Sequence, residues 1–244
     1  MLYNLINLVT GLFFLIGAFI AFKYKSNKNL INFSVGMAFT VLILLLIVDI
    51  VPETFELLEN KYIIIIGGAL IGLGVLFLIE KLVPHHDHYK EEKEHHHDEH
   101  LKHIGTMTSV ALIIHNLVEG MSIYGVASND LKTGLIYAIG VGLHNIPFGI
   151  EITALFDKEK NKKKTWIFLS ILSISTFLGG LILFLFENLL TDKVLGILLS
   201  ITVGMIIYIV FNELLVELKE KFNKYSIYGI ITGIILMLIG VLLW

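Results

Sequence analysis

Two histidines, His115 and His144, stand in the middle of long apolar stretches, and each is followed directly by an asparagine, Asn116 or Asn145. Glu119 comes four residues after His115, so on a helix the two share a face. Two imidazoles, a carboxylate and two amide oxygens are a plausible zinc set, because Zn²⁺ takes N and O donors in a tetrahedron. The chain has no cysteine, which excludes thiolate sites and disulfides. A site that must release its ion suits mixed N/O donors better than a closed thiolate cage. Pro147 follows shortly after His144 and is expected to interrupt its helix, freeing backbone carbonyls nearby. A single buried histidine is often a hydrogen-bonded packing residue. Two of them, each followed by Asn and each near a glycine (Gly120, Gly149), argue against that reading.

The elements that must position these residues are membrane spans. The 244 residues are 56% hydrophobic with a mean hydropathy of +0.82, and the net charge is -3. A bilayer core takes about 20 apolar residues per helix. Eight segments qualify: Leu2–Phe22, Leu30–Val51, Tyr62–Val83, Ile104–Val126, Leu131–Phe156, Thr165–Phe186, Val194–Leu218 and Ile227–Trp244. Backbone facing lipid must satisfy itself, so each is a helix. The fold class expected is an all-α membrane protein, residues 1–244 forming a single transmembrane domain. All 18 basic residues are lysines, and most fall in alternate loops: after helices one, three, five and seven. The positive-inside rule then puts both termini outside, in a multi-pass protein of the cell membrane.

Residues 84–103 differ from the rest. This loop holds eight of the ten histidines: His85, His86, His88, His95, His96, His97, His100 and His103. It is acidic, poor in apolar residues and expected to be disordered, cytoplasmic and metal-binding. Internal symmetry is also present. Ser34-Val35-Gly36-Met37 matches Thr202-Val203-Gly204-Met205, with Asp49 and Glu217 each twelve residues beyond the Met. His115-Asn116-Leu117-Val118-Glu119-Gly120 matches His144-Asn145-Ile146-Pro147-Phe148-Gly149. The matched helices run in opposite directions, as in an inverted repeat with a site at the repeat interface near the midplane. Asp49, Glu53, Glu213 and Glu217 lie near helix ends, where acids either gate a pathway or simply face water. Met37 reads as core filler or as a further soft donor.

Eight helices, a His-rich loop between the third and fourth, and the two His-Asn motifs resemble the ZIP family of metal-ion transporters, with its bacterial GufA-like members nearest. The resemblance spans the whole chain and rests on His115-Asn116-x-x-Glu119-Gly120 and His144-Asn145-x-Pro147-x-Gly149. It implies a 3+2+3 helix arrangement and uptake of Zn²⁺, or of Fe²⁺, Mn²⁺ or Cd²⁺, between helices four and five. By position it makes His115, Asn116, Glu119, His144 and Asn145 site residues, with Met37 as a further ligand. One departure is marked: the family pattern has Glu where this chain has Phe148, and helix six lacks a mid-membrane acid. One ion rather than two is therefore expected. Glu151, two turns beyond His144 on nearly the same face, is expected to replace part of the lost charge.

Two other readings compete. A zinc exporter of the cation-diffusion type would usually have six helices and a soluble C-terminal domain. An intramembrane metallohydrolase would use His115, Glu119 and His144 around a catalytic zinc with an activated water, but no HExxH-type motif is present. The expected partners are divalent metal ions and the lipid bilayer, with a homodimer as the one protein assembly and no nucleic acid. No prosthetic group is expected; zinc is cargo. Deleting residues 84–103 should change the apparent affinity or regulation of uptake while leaving uptake itself intact. Complete loss of uptake in a folded deletion variant would overturn this.

Overall fold

A computed structural model describes residues 1–24, 28–82, 93–156, 162–186, 191–220 and 222–243, with backbone alone for residues 24, 82, 93–105, 129, 162, 164, 241 and 243. All described elements are helical. We number them α1 (Leu2–Tyr24), α2 (Lys28–Leu57), α3 (Tyr62–Leu82), α4 (Lys93–Asn129), α5 (Leu131–Phe156), α6 (Lys162–Phe186), α7 (Asp192–Glu220) and α8 (Lys224–Leu243). Seven of these are long and apolar enough to cross a membrane, and α8 adds a shorter apolar stretch, Lys224–Gly240. The expected eight segments are thus recovered as helices. α4 begins earlier than expected: helical backbone starts at Lys93, so the segment carrying His95, His96, His97, His100 and His103 prolongs α4 instead of lacking structure. His85, His86 and His88 lie outside the described residues.

Side chains in the turns cap the helix ends. Asp130 is the one residue between α4 and α5, and its carboxylate accepts from the backbone N–H groups of Lys132 and Thr133. Thr191 caps α7 by accepting from the Val194 N–H, and Asn223 accepts from the Tyr225 and Ser226 N–H groups at the start of α8. The turn between α2 and α3 puts Glu59 and Asn60 in the left-handed region, with φ of 50° and 57°.

Two helices are widened by π-helical turns, Leu46–Ile50 in α2 and Ile209–Leu214 in α7. Proline has no N–H, and its ring displaces the carbonyl four residues back. Pro52 therefore cannot bond Val48, which lies inside the α2 turn and gives that widening its cause. No proline accompanies the α7 turn. Asp49 sits within the first turn and Glu213 within the second, so the turns pair Asp49 with Glu213 and Glu53 with Glu217. That register is one helical turn away from the pairing given by the Val-Gly-Met match. α5, by contrast, runs unbroken through Pro147.

The four most extensive helix contacts are α1 with α5, α4 with α6, α2 with α8 and α3 with α7. Glycine makes them possible. In α1 and α5, Gly17 faces the Ile146 carbonyl and Gly149 faces the Phe14 carbonyl, so close that a Cβ would collide. In α6 and α4, Gly179 faces the Leu117 carbonyl and Gly120 the Thr176 carbonyl in the same manner. Without water to expel, packing at small residues is what holds membrane helices together. Gly17→Val and Gly179→Val should each lower stability by about 1–3 kcal/mol through overpacking. Gly67→Ala and Gly74→Ala should be tolerated, since nothing lies within 4 Å of either position. Thermal unfolding of the four purified variants checks this, and equal midpoints would overturn it.

Candidate metal-ion site

The two His-Asn motifs meet where α4 and α5 pack together. Glu119 lies between the imidazoles: its Oε1 is 3.0 Å from His144 Nε2 and 3.6 Å from His115 Nε2. The two ring centroids are 6.2 Å apart. All three residues are buried, and their potential ligand atoms lie within 4.8 Å of one another. A tetrahedral zinc with ligands at about 2.0–2.1 Å needs donor atoms about 3.3 Å apart. The two Glu119–imidazole distances bracket that spacing. Both Nε2 atoms and both Glu119 oxygens lack a well-aligned hydrogen bond. Buried polar atoms are rarely left so, and a cation would satisfy all of them at once.

The asparagines are placed differently from the simplest expectation. One residue past each histidine, they turn toward the neighbouring helices: Asn116 Nδ2 donates to the Leu172 carbonyl of α6 at 3.3 Å, and Asn145 Nδ2 donates to the Thr10 carbonyl of α1 at 3.5 Å. Each Asn Oδ1 is buried and has no hydrogen-bond partner, so the amides bracket the helices while their oxygens stay available. Phe148 is fully buried, and its ring meets that of His144 edge-on at 6.3 Å between centroids. It packs where the sequence pattern would hold a carboxylate.

The remaining candidates separate into groups. Asp49 and Glu53 of α2 line a small cavity together with His115 and Glu119, and Asp49 lines a second cavity of about 40 Å³ with His144. Ser122 donates to Glu53 at 3.3 Å. Glu213 and Glu217 are buried, 3% and 2% exposed, so of the two readings left open for them the one in which they simply face water does not hold. The packing of α2 and α4 against this stretch of α7 is what a helix-end argument cannot see. Met37 sits in the apolar core, its backbone against Gly229 and Gly233 of α8. Glu151 is fully buried with both oxygens unbonded, but it is not grouped with the triad. Ser122 and Tyr137, which line the cavity beside the triad, were not anticipated. Their only sequence signal is position: Ser122 is three residues past Glu119, and Tyr137 is seven before His144.

The model of the family described as ZIP Zinc transporter matches residues 84–242, well over half of the chain. The chain belongs to the ZIP zinc transporter family. It is 30% identical to the zinc transporter ZupT of Akkermansia muciniphila, over 98% of this chain and 94% of that one. It is 28% identical to ZupT of Clostridium perfringens, over 98% and 95%, and 28% identical to ZupT of Streptococcus mutans, over 94% and 92%. ZIP members are transporters, so the metallohydrolase and cation-diffusion readings fall away.

Phe148→Glu in this ZIP chain should raise the number of tightly bound zinc ions, because a carboxylate one turn from His144 lowers the repulsion between two cations. Glu151→Ala should leave the central affinity nearly unchanged, since Glu151 stands outside the triad. Anomalous scattering and calorimetry report both. Two fully occupied central sites in the unaltered chain would refute the one-ion reading, and weakened binding in Glu151→Ala would restore Glu151 to the ligand set.

Proposed function

We propose that this chain carries divalent metal ions, zinc foremost, across the cell membrane into the cytoplasm, and that His115, Glu119 and His144 hold the ion at mid-membrane. The observation that carries the reading is the buried triad itself: three donors at zinc spacing, lacking aligned hydrogen bonds, on the two helices that bear the family's motifs. Isolated ionisable groups are costly in a membrane and mark ion pathways. Asn116 and Asn145 supply the next donors, through oxygens that nothing in the protein satisfies. Met37 is a further soft donor. Fe²⁺, Mn²⁺ and Cd²⁺ are alternative cargo, because mixed imidazole and carboxylate donors are not exclusive.

The helices form a 3+2+3 inverted repeat in this reading. Its support is reciprocity: α1 meets α5 as α6 meets α4, and α2 meets α8 as α7 meets α3. The glycine contacts follow the same exchange, as do the Asn116 and Asn145 hydrogen bonds. Lysine placement puts both termini outside and the His-rich segment, residues 84–103, in the cytoplasm. Asp49 and Glu53 then stand on the outer side of the triad, and Glu151, Glu213 and Glu217 on the inner side, where they serve entry and release.

His115→Ala, His144→Ala and Glu119→Ala should each abolish zinc uptake into proteoliposomes while the protein remains folded. Glu119→Ala also removes the group that balances the ion's charge, so its zinc affinity should fall at least as far as that of either histidine variant. Uptake at the unaltered rate in any two of the three would refute the assignment. Running the same assay across a panel of divalent ions orders the cargo.

A further inference from the structure

α2 carries carboxylates at 49, 53 and 56, a spacing that stacks them along one helix face. They are not equivalent. Glu56 lines a surface cleft of about 320 Å³ with Glu59, Asp192, Lys61 and Lys193, where Glu59 is already paired with Lys61 at 2.6 Å. Asp49 and Glu53 turn inward instead. Together with Ser122, Tyr137, His115 and Glu119 they line one small cavity. One Asp49 oxygen is buried without a hydrogen-bond partner. Across the cavity, Glu119 is 4% exposed and has neither oxygen in an aligned hydrogen bond. Asp49 and Tyr137 also wall the second cavity, which reaches His144. Both of these cavities are therefore lined by Asp49 together with part of the triad.

Three carboxylates converging on a cavity of this size repel one another unless something positive lies between them. No lysine lines either small cavity. We infer that the cavity between α2, α4 and α5 is a second divalent-cation site, with Asp49 and Glu53 as its ligands and the Ser122 and Tyr137 hydroxyls supporting them, from which an ion passes to Glu119. The inference rests on the transport reading above. The donors here are all oxygen, whereas the triad is two-thirds imidazole. Carboxylate and hydroxyl donors accept hard cations such as Mn²⁺ about as readily as zinc, while imidazole favours zinc. The outer site thus captures divalent ions with little choice, and the triad selects among them.

The test is metal binding to the full purified chain, with Zn²⁺ and Mn²⁺ titrated separately by calorimetry. The unaltered chain should show a tight zinc site and a weaker one. His115→Ala/His144→Ala should lose the tight site and keep the weaker, which should bind Mn²⁺ and Zn²⁺ with similar affinity. Asp49→Asn/Glu53→Gln should lose the weaker site and keep the tight one, and the KM for zinc uptake should rise about tenfold, as removal of supporting ligands commonly does. The single variants Asp49→Asn and Glu53→Gln give the same reading if either double variant fails to fold. A histidine variant that binds no metal would overturn the inference, as would weak binding unchanged by Asp49→Asn/Glu53→Gln. A chain that binds at both sites yet takes up no ion would instead refute the transport reading and leave this site standing.

Discussion

The rest of the structure depends on the burial of one carboxylate among imidazoles. Glu119 lies in the middle of a membrane helix, 4% exposed, and an isolated charge there is costly. Its nearest polar neighbours are His115, on its own helix, and His144, on the next. Neither gives it an aligned hydrogen bond. The site is thus held in a state that a cation would relieve, and the protein must spend packing elsewhere to keep α4 and α5 together.

That packing comes from glycine and asparagine. A close helix approach needs a position with no Cβ, and each of the two central helices has one a few residues beyond its histidine: Gly120 in α4 and Gly149 in α5. Each of these glycines meets a backbone carbonyl of an outer helix, in α6 and α1 respectively. Asn116 and Asn145 reinforce the same two interfaces with side-chain bonds to backbone carbonyls. The His-Asn-x-x-x-Gly spacing thus has two separate purposes. The Asn N–H and the Gly fix the helix, and in the proposed reading the histidine faces the ion. The inverted repeat proposed above would place the site near the midplane, where the elements it exchanges must cross.

Much of this was legible in the sequence, and the limits have physical causes. The spans were legible because a bilayer demands long apolar runs. Glu119 was paired with His115 because four residues make a helical turn, and His144 joined them because its motif repeats. The packing contacts of Asn116 and Asn145 were not legible: an amide donates as well as accepts, and only the neighbouring helices decide where its N–H groups go. Proximity to a helix end did not reveal the burial of Glu213 and Glu217, because that burial comes from neighbouring helices. The Val-Gly-Met match gave a register one turn from that of the π turns, since a widened turn inserts length that a linear comparison cannot place. The helical start of α4 at Lys93 escaped notice because a polar, His-rich segment has no apolar stripe of its own. It is helical as a continuation of the span below it.

Charge balance decides how many ions the centre can hold. Two neutral imidazoles and one carboxylate carry a single negative charge, so one divalent ion already leaves the triad with one net positive charge. A second ion beside it would add two more in a region of low dielectric, where repulsion at contact distances far exceeds its value in water. The position that could offset this on α5 holds the ring of Phe148, packed against His144 and unable to ligate. The next carboxylates available, Asp49 and Glu53, stand across a small cavity on α2, brought there by a π turn that Pro52 explains. In the proposed pathway an ion held among them would face one at the triad across Glu119, which lines the cavity and neighbours both imidazoles, and its negative charge would lower the repulsion between the two cations. The loss of a carboxylate at position 148 is thus compatible with successive ions in one pathway, held in tandem rather than side by side.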